Sequence, residues 1–357
     1  MKKKKIILHD QQYTIGGPKG VLDGITNSYL SGKYCFVRLA QPETCGFNPF
    51  KAISFIRKYT KLINQEKADA IYICGLQYAG LLMTIAARLS NVKKVCLSVH
   101  GSEWDNPSHT LRKWILMHII EPIEVRLADS VFTVCEAAQR SIGALKYAKK
   151  GANAGVVYNT FPNFDFDAIE SGRLRRELGL SGDKIIVTTV GRVVQAKGHQ
   201  NIIEAIKLNV DDRFVYVIVG DGPYLDEYKR QCKDEIASGK VFLLGIRHDV
   251  KEILKDTDIF LFATYHENHS LALLEAVNMK CSVLVTNVGG NSEIIQHSTS
   301  GIVIPAKDSN AIVGGLFALS DKSLRDVYAE NAYLFASEKF SIENTYGKLA
   351  TIFESKR

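Results

Sequence analysis

Residues 184–208 read KIIVTTVGRVVQAKGHQNIIEAIKL. The first seven are a short, Ile/Val-rich run, apolar on both faces, as suits a parallel strand covered by helices. Gly191 and Gly198 bracket a turn. Ile202, Ile203 and Ile206 then recur at the spacing of one helix face. A strand that passes through glycines straight into a helix opens a βα unit. Sheets built from such units bind ligands beyond the carboxyl ends of their strands, so the informative residues are those just after each strand.

The same alternation extends in both directions. Downstream, strands are expected at Phe214–Gly220, Val241–Leu244, Ile259–Ala263 and Ser282–Asn287, with helices Tyr224–Ile236, Val250–Lys255 and Leu271–Met279 and a helical tail from Asn310. Upstream, strands are expected at Ile6–His9, Tyr34–Ala40, Ala70–Cys74, Lys94–His100, Ser130–Cys135 and Gly155–Tyr158, again separated by helices, one spanning Ser108–Ala128. Between the two series Asn159–Ser171, with Pro162, Asn163, Asp165 and Asp167, reads as a linker. The expected architecture is therefore α/β: two Rossmann-like doubly wound domains, 1–160 and 161–340, facing each other across a cleft. The terminal helix, 341–357, is expected to pack back on the first domain.

Composition narrows the function. The 357 residues are 46% hydrophobic and 23% charged, which excludes disordered and collagenous chains. No apolar run approaches the roughly 18 residues of a membrane span. The lysines at 2–5 precede only Ile6, Ile7 and Leu8, too few for a signal peptide, so the chain is expected in the cytoplasm. Seven scattered cysteines suggest neither a disulfide framework nor a zinc site. Residues 1–160 hold 22 Lys/Arg against 11 Asp/Glu, whereas the remainder holds 23 against 27. A basic first half suits an anionic membrane leaflet, a phosphate-bearing acceptor or nucleic acid, unless it is simply a solvated basic surface. No nucleic-acid motif is present.

Four stretches follow strands. Gly16-Gly17-Pro18-Lys19-Gly20 is a phosphate loop or a plain turn. In Gly191–Gly198, Arg192 and Lys197 either reach one diphosphate together or are two exposed loop cations. Gly220-Asp221-Gly222-Pro223 reads as a turn that launches a helix. Glu267 sits on a loop, and Glu275 follows about two turns into a helix. Between them Ser270, Leu271 and Ala272 present amides at a helix N-terminus. A diphosphate fits there with a carboxylate on each flank, unless the two are ordinary surface glutamates. A buried Glu275 needs a partner.

Taken in order, Gly191-Arg192…Lys197-Gly198, Val219-Gly220-Asp221-Gly222-Pro223, Glu267-x7-Glu275-Ala276 and Val288-Gly289-Gly290-Asn291-Ser292-Glu293 resemble the retaining glycosyltransferases of family 4, group 1. Weaker matches in the first half are Gly16-Gly17, Val99-His100-Gly101 and Val157-Tyr158-Asn159. The resemblance implies a GT-B fold and a nucleotide diphosphate sugar donor, with uridine favoured over guanosine. It implies a glycan or lipid-linked glycan acceptor, as in bacterial surface polysaccharide synthesis. It also implies roles. Arg192 and Lys197 hold the diphosphate, Glu267 meets the donor sugar, Glu275 accepts from the ribose, and His100 lies near the transferred sugar. The amides of Ser270, Leu271 and Ala272 cap the phosphates. Gly245, Ile246 and Arg247 face the base. Gly16, Gly17, Gly191 and Gly220 line the donor loops. The chain departs from the family at Asn268-His269-Ser270, Lys280-Cys281-Ser282 and Ser292, and no departure removes a charged group.

Several features are set aside. Asp165-Phe166-Asp167 and Asp256-Thr257-Asp258 have D-x-D spacing, but the first lies in the linker and the second joins a helix end to a strand. His266 and His269 are three apart, not four as a zinc helix requires. No metal and no cofactor are expected. The helix Leu111–Leu127 is read as core rather than membrane-facing. Lys146, Lys149 and Lys150 are the preferred site for peripheral membrane contact. Other functions open to such a chain are a nucleotide-sugar epimerase, a phosphorylase, or a two-lobed sugar-binding protein.

Overall fold

A computed structural model describes residues 3–11, 17–41, 47–102 and 110–355. The chain divides into two compact units, Met1–Thr160 with Ile342–Arg357, and Phe161–Ser341.

The first unit is built on a parallel sheet of β1 (Lys4–Asp10), β2 (Tyr34–Ala40), β3 (Ala70–Gly75), β4 (Lys94–Val99), β5 (Ser130–Thr133) and β6 (Asn153–Val156). The spatial order is β2-β1-β3-β4-β5-β6. On one face Ile7, Ile71, Ile73, Val95 and Leu97 meet Phe55, Tyr59, Met83 and Ala86 from the helices Pro49–Glu66 and Tyr78–Arg88. On the other, Ile6, Leu8, Tyr34 and Tyr72 pack against Tyr346, Leu349, Ile352 and Phe353 of the last helix, Ile342–Glu354. Lys94 fastens that helix: its buried ammonium donates to the carbonyls of Ile352 and Ser355.

The second unit holds β7 (Ile185–Val190), β8 (Phe214–Val219), β9 (Val241–Gly245), β10 (Ile259–Phe262), β11 (Ser282–Thr286) and β12 (Ile302–Ile304). The order β12-β11-β10-β7-β8-β9 reverses between β7 and β10. In doubly wound sheets ligands bind beyond the carboxyl ends of the strands at such a reversal.

The expected helix Tyr224–Ile236 is broken at Cys232 into Leu225–Gln231 and Lys233–Ala237, and three further elements differ from the sequence expectation. β12 has only three residues, too few to show a period; pairing with β11, Leu284 opposite Ile302, makes it a strand. Just after the expected linker the helix Arg173–Glu177 forms because Asp256, distant in sequence, accepts from the amides of Gly172 and Leu174. The helix expected to be core, Leu111–Leu127, buries Leu116, Ile120 and Val125 but leaves Leu111, Trp114, Ile119 and Ile123 in solvent. The periodicity of its apolar residues is interrupted by a π turn over Leu116–Ile120. Among the described residues no helix is long and apolar enough to cross a membrane.

Candidate functional site

The turn after β7 is tied to both neighbouring strands. Gly191 donates to the Val219 carbonyl at 3.0 Å, and Val193 to that of Asp221 at 2.9 Å. Gln195–Lys197 then form a single 3-10 turn ending at Gly198, whose φ is +67°. A Cβ there would lie 1.9 Å from the Ala263 carbonyl oxygen, so only glycine lets the turn press against the end of β10. The Tyr265 amide donates to the Ala196 carbonyl at 2.8 Å, and Thr264 Oγ1 lies 2.9 Å from the same oxygen.

This brings Lys197 and Glu267 together. Lys197 Nζ stands 2.5 Å from Glu267 Oε2 and 5.1 Å from the centre of the Phe262 ring. The Glu267 loop is backed by the turn after β11. Gly289 has φ +52°, and a Cβ on it would fall 1.6 Å from the Glu267 carbonyl oxygen. Gly290 donates to the Asn268 carbonyl at 2.8 Å.

The helix Leu271–Asn278 starts immediately beyond. Ser270 caps it, accepting from the Leu273 amide at 3.3 Å. No described residue accepts from the amides of Leu271 and Ala272. Their partial positive charge is of the kind that binds anions. One turn on, the Glu275 carboxyl has neither a hydrogen bond nor an ion pair among the described residues. Burial pushes it up to about 7. A carboxyl left without a donor inside an otherwise apolar helix is a strong acceptor for a ligand hydroxyl.

The other expected residues are placed as follows. Arg192 is exposed on the same turn and makes no ion pair with Glu267 or Glu275. Gly220 donates to the Gly245 carbonyl at 2.8 Å, joining the ends of β8 and β9. Ile246 is exposed. The Arg247 guanidinium is clasped by Glu177 at 2.6 and 2.9 Å and by Asp249 at 2.8 and 2.7 Å, which raises its pKa further. Its charge is neutralised within the protein. In the first unit His100 follows β4, with Nε2 3.0 Å from Ser98 Oγ; burial lowers its pKa to about 4, so the ring is neutral near pH 7. Gly17 is the first residue of the helix Gly17–Asn27, with open space where a side chain would project. Gly16 lies outside the described residues.

The D-x-D carboxylates at 256 and 258 have structural partners. Asp256 caps Arg173–Glu177, while Asp258 accepts from the Ile186 amide at 2.9 Å and from Arg175 at 2.8 Å. Sequence reading missed two fully buried carboxyls, Glu121 and Glu124. Their spacing of three on an apolar helix was the available signal. Glu121 accepts from Ser102 at 2.8 Å, two residues past His100.

Known proteins agree with this architecture. A profile of glycosyl transferases group 1 matches residues 170–335, and a glycosyl transferase 4-like profile matches 30–132. An Escherichia coli UDP-Gal:alpha-D-GlcNAc-diphosphoundecaprenol alpha-1,3-galactosyltransferase is 26% identical over 82% of this chain and 77% of its own length. The Staphylococcus aureus capsular polysaccharide biosynthesis glycosyltransferase CapM is 22% identical over 86% and 82%. The crystal structure of Anabaena HepE in complex with UDP and glucose superposes with a TM-score of 0.80 at 19% identity, covering 99% of this chain and 100% of that one. Matched in both units by such profiles, the chain belongs to the group 1 glycosyltransferases and has their GT-B fold.

Proposed function

We propose that the chain transfers a sugar from a UDP-sugar to a glycan or lipid-linked glycan acceptor, with retention at the anomeric carbon and without a metal ion. The observation that carries this reading is the Lys197–Glu267 pair beside the open Leu271 and Ala272 amides and the unpartnered Glu275. An ammonium and a helix N-terminus together supply the positive charge that a departing diphosphate needs. Glu275 takes the ribose hydroxyls and Glu267 the sugar hydroxyls. Arg192 closes over the phosphates from its exposed position.

In the reaction the bond from the anomeric carbon to the phosphate oxygen breaks as the acceptor oxygen bonds to that carbon from the same face. The acceptor's proton passes to the leaving diphosphate. Charge therefore grows on the phosphate as the bond opens, and Lys197 acts at that point. His100, neutral near pH 7, offers a hydrogen-bonding group beyond β4 in the first unit.

The relatives' names favour this donor and setting: one acts with UDP-galactose on a diphosphoundecaprenol-linked sugar, and another serves capsular polysaccharide biosynthesis. A surface-polysaccharide role at the inner face of the membrane follows from the same reasoning. The test is a panel of UDP- and GDP-sugars read by thermal shift, then by transfer to polyprenyl-diphosphate sugars in the presence of EDTA. Transfer from a UDP-sugar with retained configuration supports the proposal. Donor epimerisation without transfer, or complete loss of activity with EDTA, contradicts it.

A further inference from the structure

The helix Leu111–Leu127 meets its own unit by one face only. Leu116 and Ile120 pack on Leu81, with Tyr78 and Ile85 around them. Glu121 and Glu124 also turn inward. The first accepts from Ser102 and the second, at 3.2 Å, from the Leu76 amide. The outward side is of another kind: Leu111 is 75% exposed, Trp114 54%, Ile119 42% and Ile123 44%. Arg126 is exposed beside them, Arg112 is exposed in the first turn, and neither pairs with a described residue.

The π turn at Leu116–Ile120 aligns this face. In a regular helix, at about 100° per residue, Ile123 would point roughly 120° away from Leu111. The extra residue of the π turn removes about 100° of that and returns Ile119, Ile123 and Arg126 to the line of Leu111 and Trp114. The helix thus shows solvent its apolar side chains and cations and hides its carboxylates. A solvated helix has the opposite distribution. The surrounding residues 1–160 carry twice as many basic as acidic side chains, 22 against 11. The expected lysine patch is a poorer surface, because Lys149 lies 3.6 Å from Asp129, which already holds Arg88.

We propose that this face docks on a bilayer containing anionic lipids. Trp114, Ile119 and Ile123 enter the boundary between headgroups and acyl chains, and Arg112 and Arg126 meet lipid phosphates. The Ser102–Glu121 bond joins the docking helix to the segment just beyond His100. The bilayer is thereby brought to the end of the sheet assigned to the acceptor. Only that last step rests on the proposed function; the docking surface stands on its own composition.

The experiment is co-sedimentation of the full chain with vesicles of phosphatidylcholine alone or mixed with phosphatidylglycerol. The wild-type protein should pellet with the mixed vesicles, less so at high salt, and stay in solution with phosphatidylcholine alone. Ile119→Ser with Ile123→Ser, and Arg112→Glu with Arg126→Glu, should each weaken partition by about tenfold or more. Both variants should keep the wild-type circular dichroism spectrum and thermal shift with UDP. Wild-type protein that ignores the mixed vesicles, or variants that pellet as it does, would overturn the proposal. So would variants that turn a wild-type dimer into monomers without vesicle binding, which would give the face to a second copy. Vesicle binding without any UDP shift in the wild type would leave docking intact and sink the sugar-transfer reading alone.

Discussion

Lys197 Nζ lies 2.5 Å from Glu267 Oε2, and the two residues leave the sheet on either side of its point of strand reversal. Without donor, each neutralises the other. In the proposed reaction the ammonium turns to the diphosphate and the carboxylate to the sugar when donor binds. Lys197→Ala should lower kcat by about 10²-fold or more, as for loss of one transition-state donor. Glu267→Ala should lower it by about 10²-fold or more as well, leaving a measurable residual rate. Because the residues act as a unit, the double variant should be no worse than Glu267→Ala. Steady-state rates of the three variants check this, and losses that multiply would show that the two act independently.

Gly289 holds the Glu267 loop by contact, and that has a measurable cost. In Gly289→Ala the new Cβ meets the Glu267 carbonyl oxygen at 1.6 Å, so the loop must move. Gly239 has a similarly left-handed φ, +75°, but open space around it. Gly239→Ala should cost only the left-handed penalty, about 1–2 kcal/mol, with the UDP thermal shift unchanged. Gly289→Ala should lower Tm further and lose the UDP shift. Equal behaviour of the two variants would mean that contact with the Glu267 loop is unimportant.

Glu275 links stability to pH. Its carboxyl is raised from the ordinary value to about 7 by burial, so the folded chain binds that proton more tightly than the unfolded chain does. Its stabilising contribution is complete below the unfolded carboxylate pKa and is lost as pH rises through about 7. Glu275→Gln should therefore raise Tm at pH 8, leave it nearly unchanged at pH 5, and weaken UDP at both. A stabilised variant that binds UDP as well as wild type would remove Glu275 from the donor site.

Lys94 closes the first unit around the last helix. Replacing it with Met removes donors from the buried carbonyl of Ile352 and from Ser355, a loss of about 1–3 kcal/mol. Ending the chain at Ser341 would also expose Ile6, Leu8 and Tyr34, now covered by Leu349, Ile352 and Phe353. Calorimetry should show Lys94→Met melting earlier. The truncated chain should lose the transition of the first unit while keeping that of the second.

What the sequence made legible was governed by local pattern. Short apolar runs separated by helical spacing placed β1 to β11 within a few residues, and glycines after β7 and β11 marked where loops approach one another. What escaped it depends on distant partners. Asp256 nucleates Arg173–Glu177 across the intervening chain, and three residues become β12 only beside β11. The outward face of Leu111–Leu127 was misread because its apolar count resembles a core helix and a π turn hides the phase. At the candidate site, charge and spacing left Lys197 and Glu267 open between ligand groups and surface charges, and the family resemblance singled them out. Charge and spacing could not reveal that Arg247 is occupied by Glu177 and Asp249, since Glu177 belongs to a segment that reads as bordering a linker.

The central claim is that a diphosphate rests on the Leu271 and Ala272 amides beside Lys197. A crystal of the protein soaked with UDP tests it most directly. The account predicts phosphate density over those amides, within hydrogen-bond distance of Lys197 Nζ, and the ribose against Glu275. Well-defined UDP density anywhere else, with these groups still as they stand in the free chain, would contradict it.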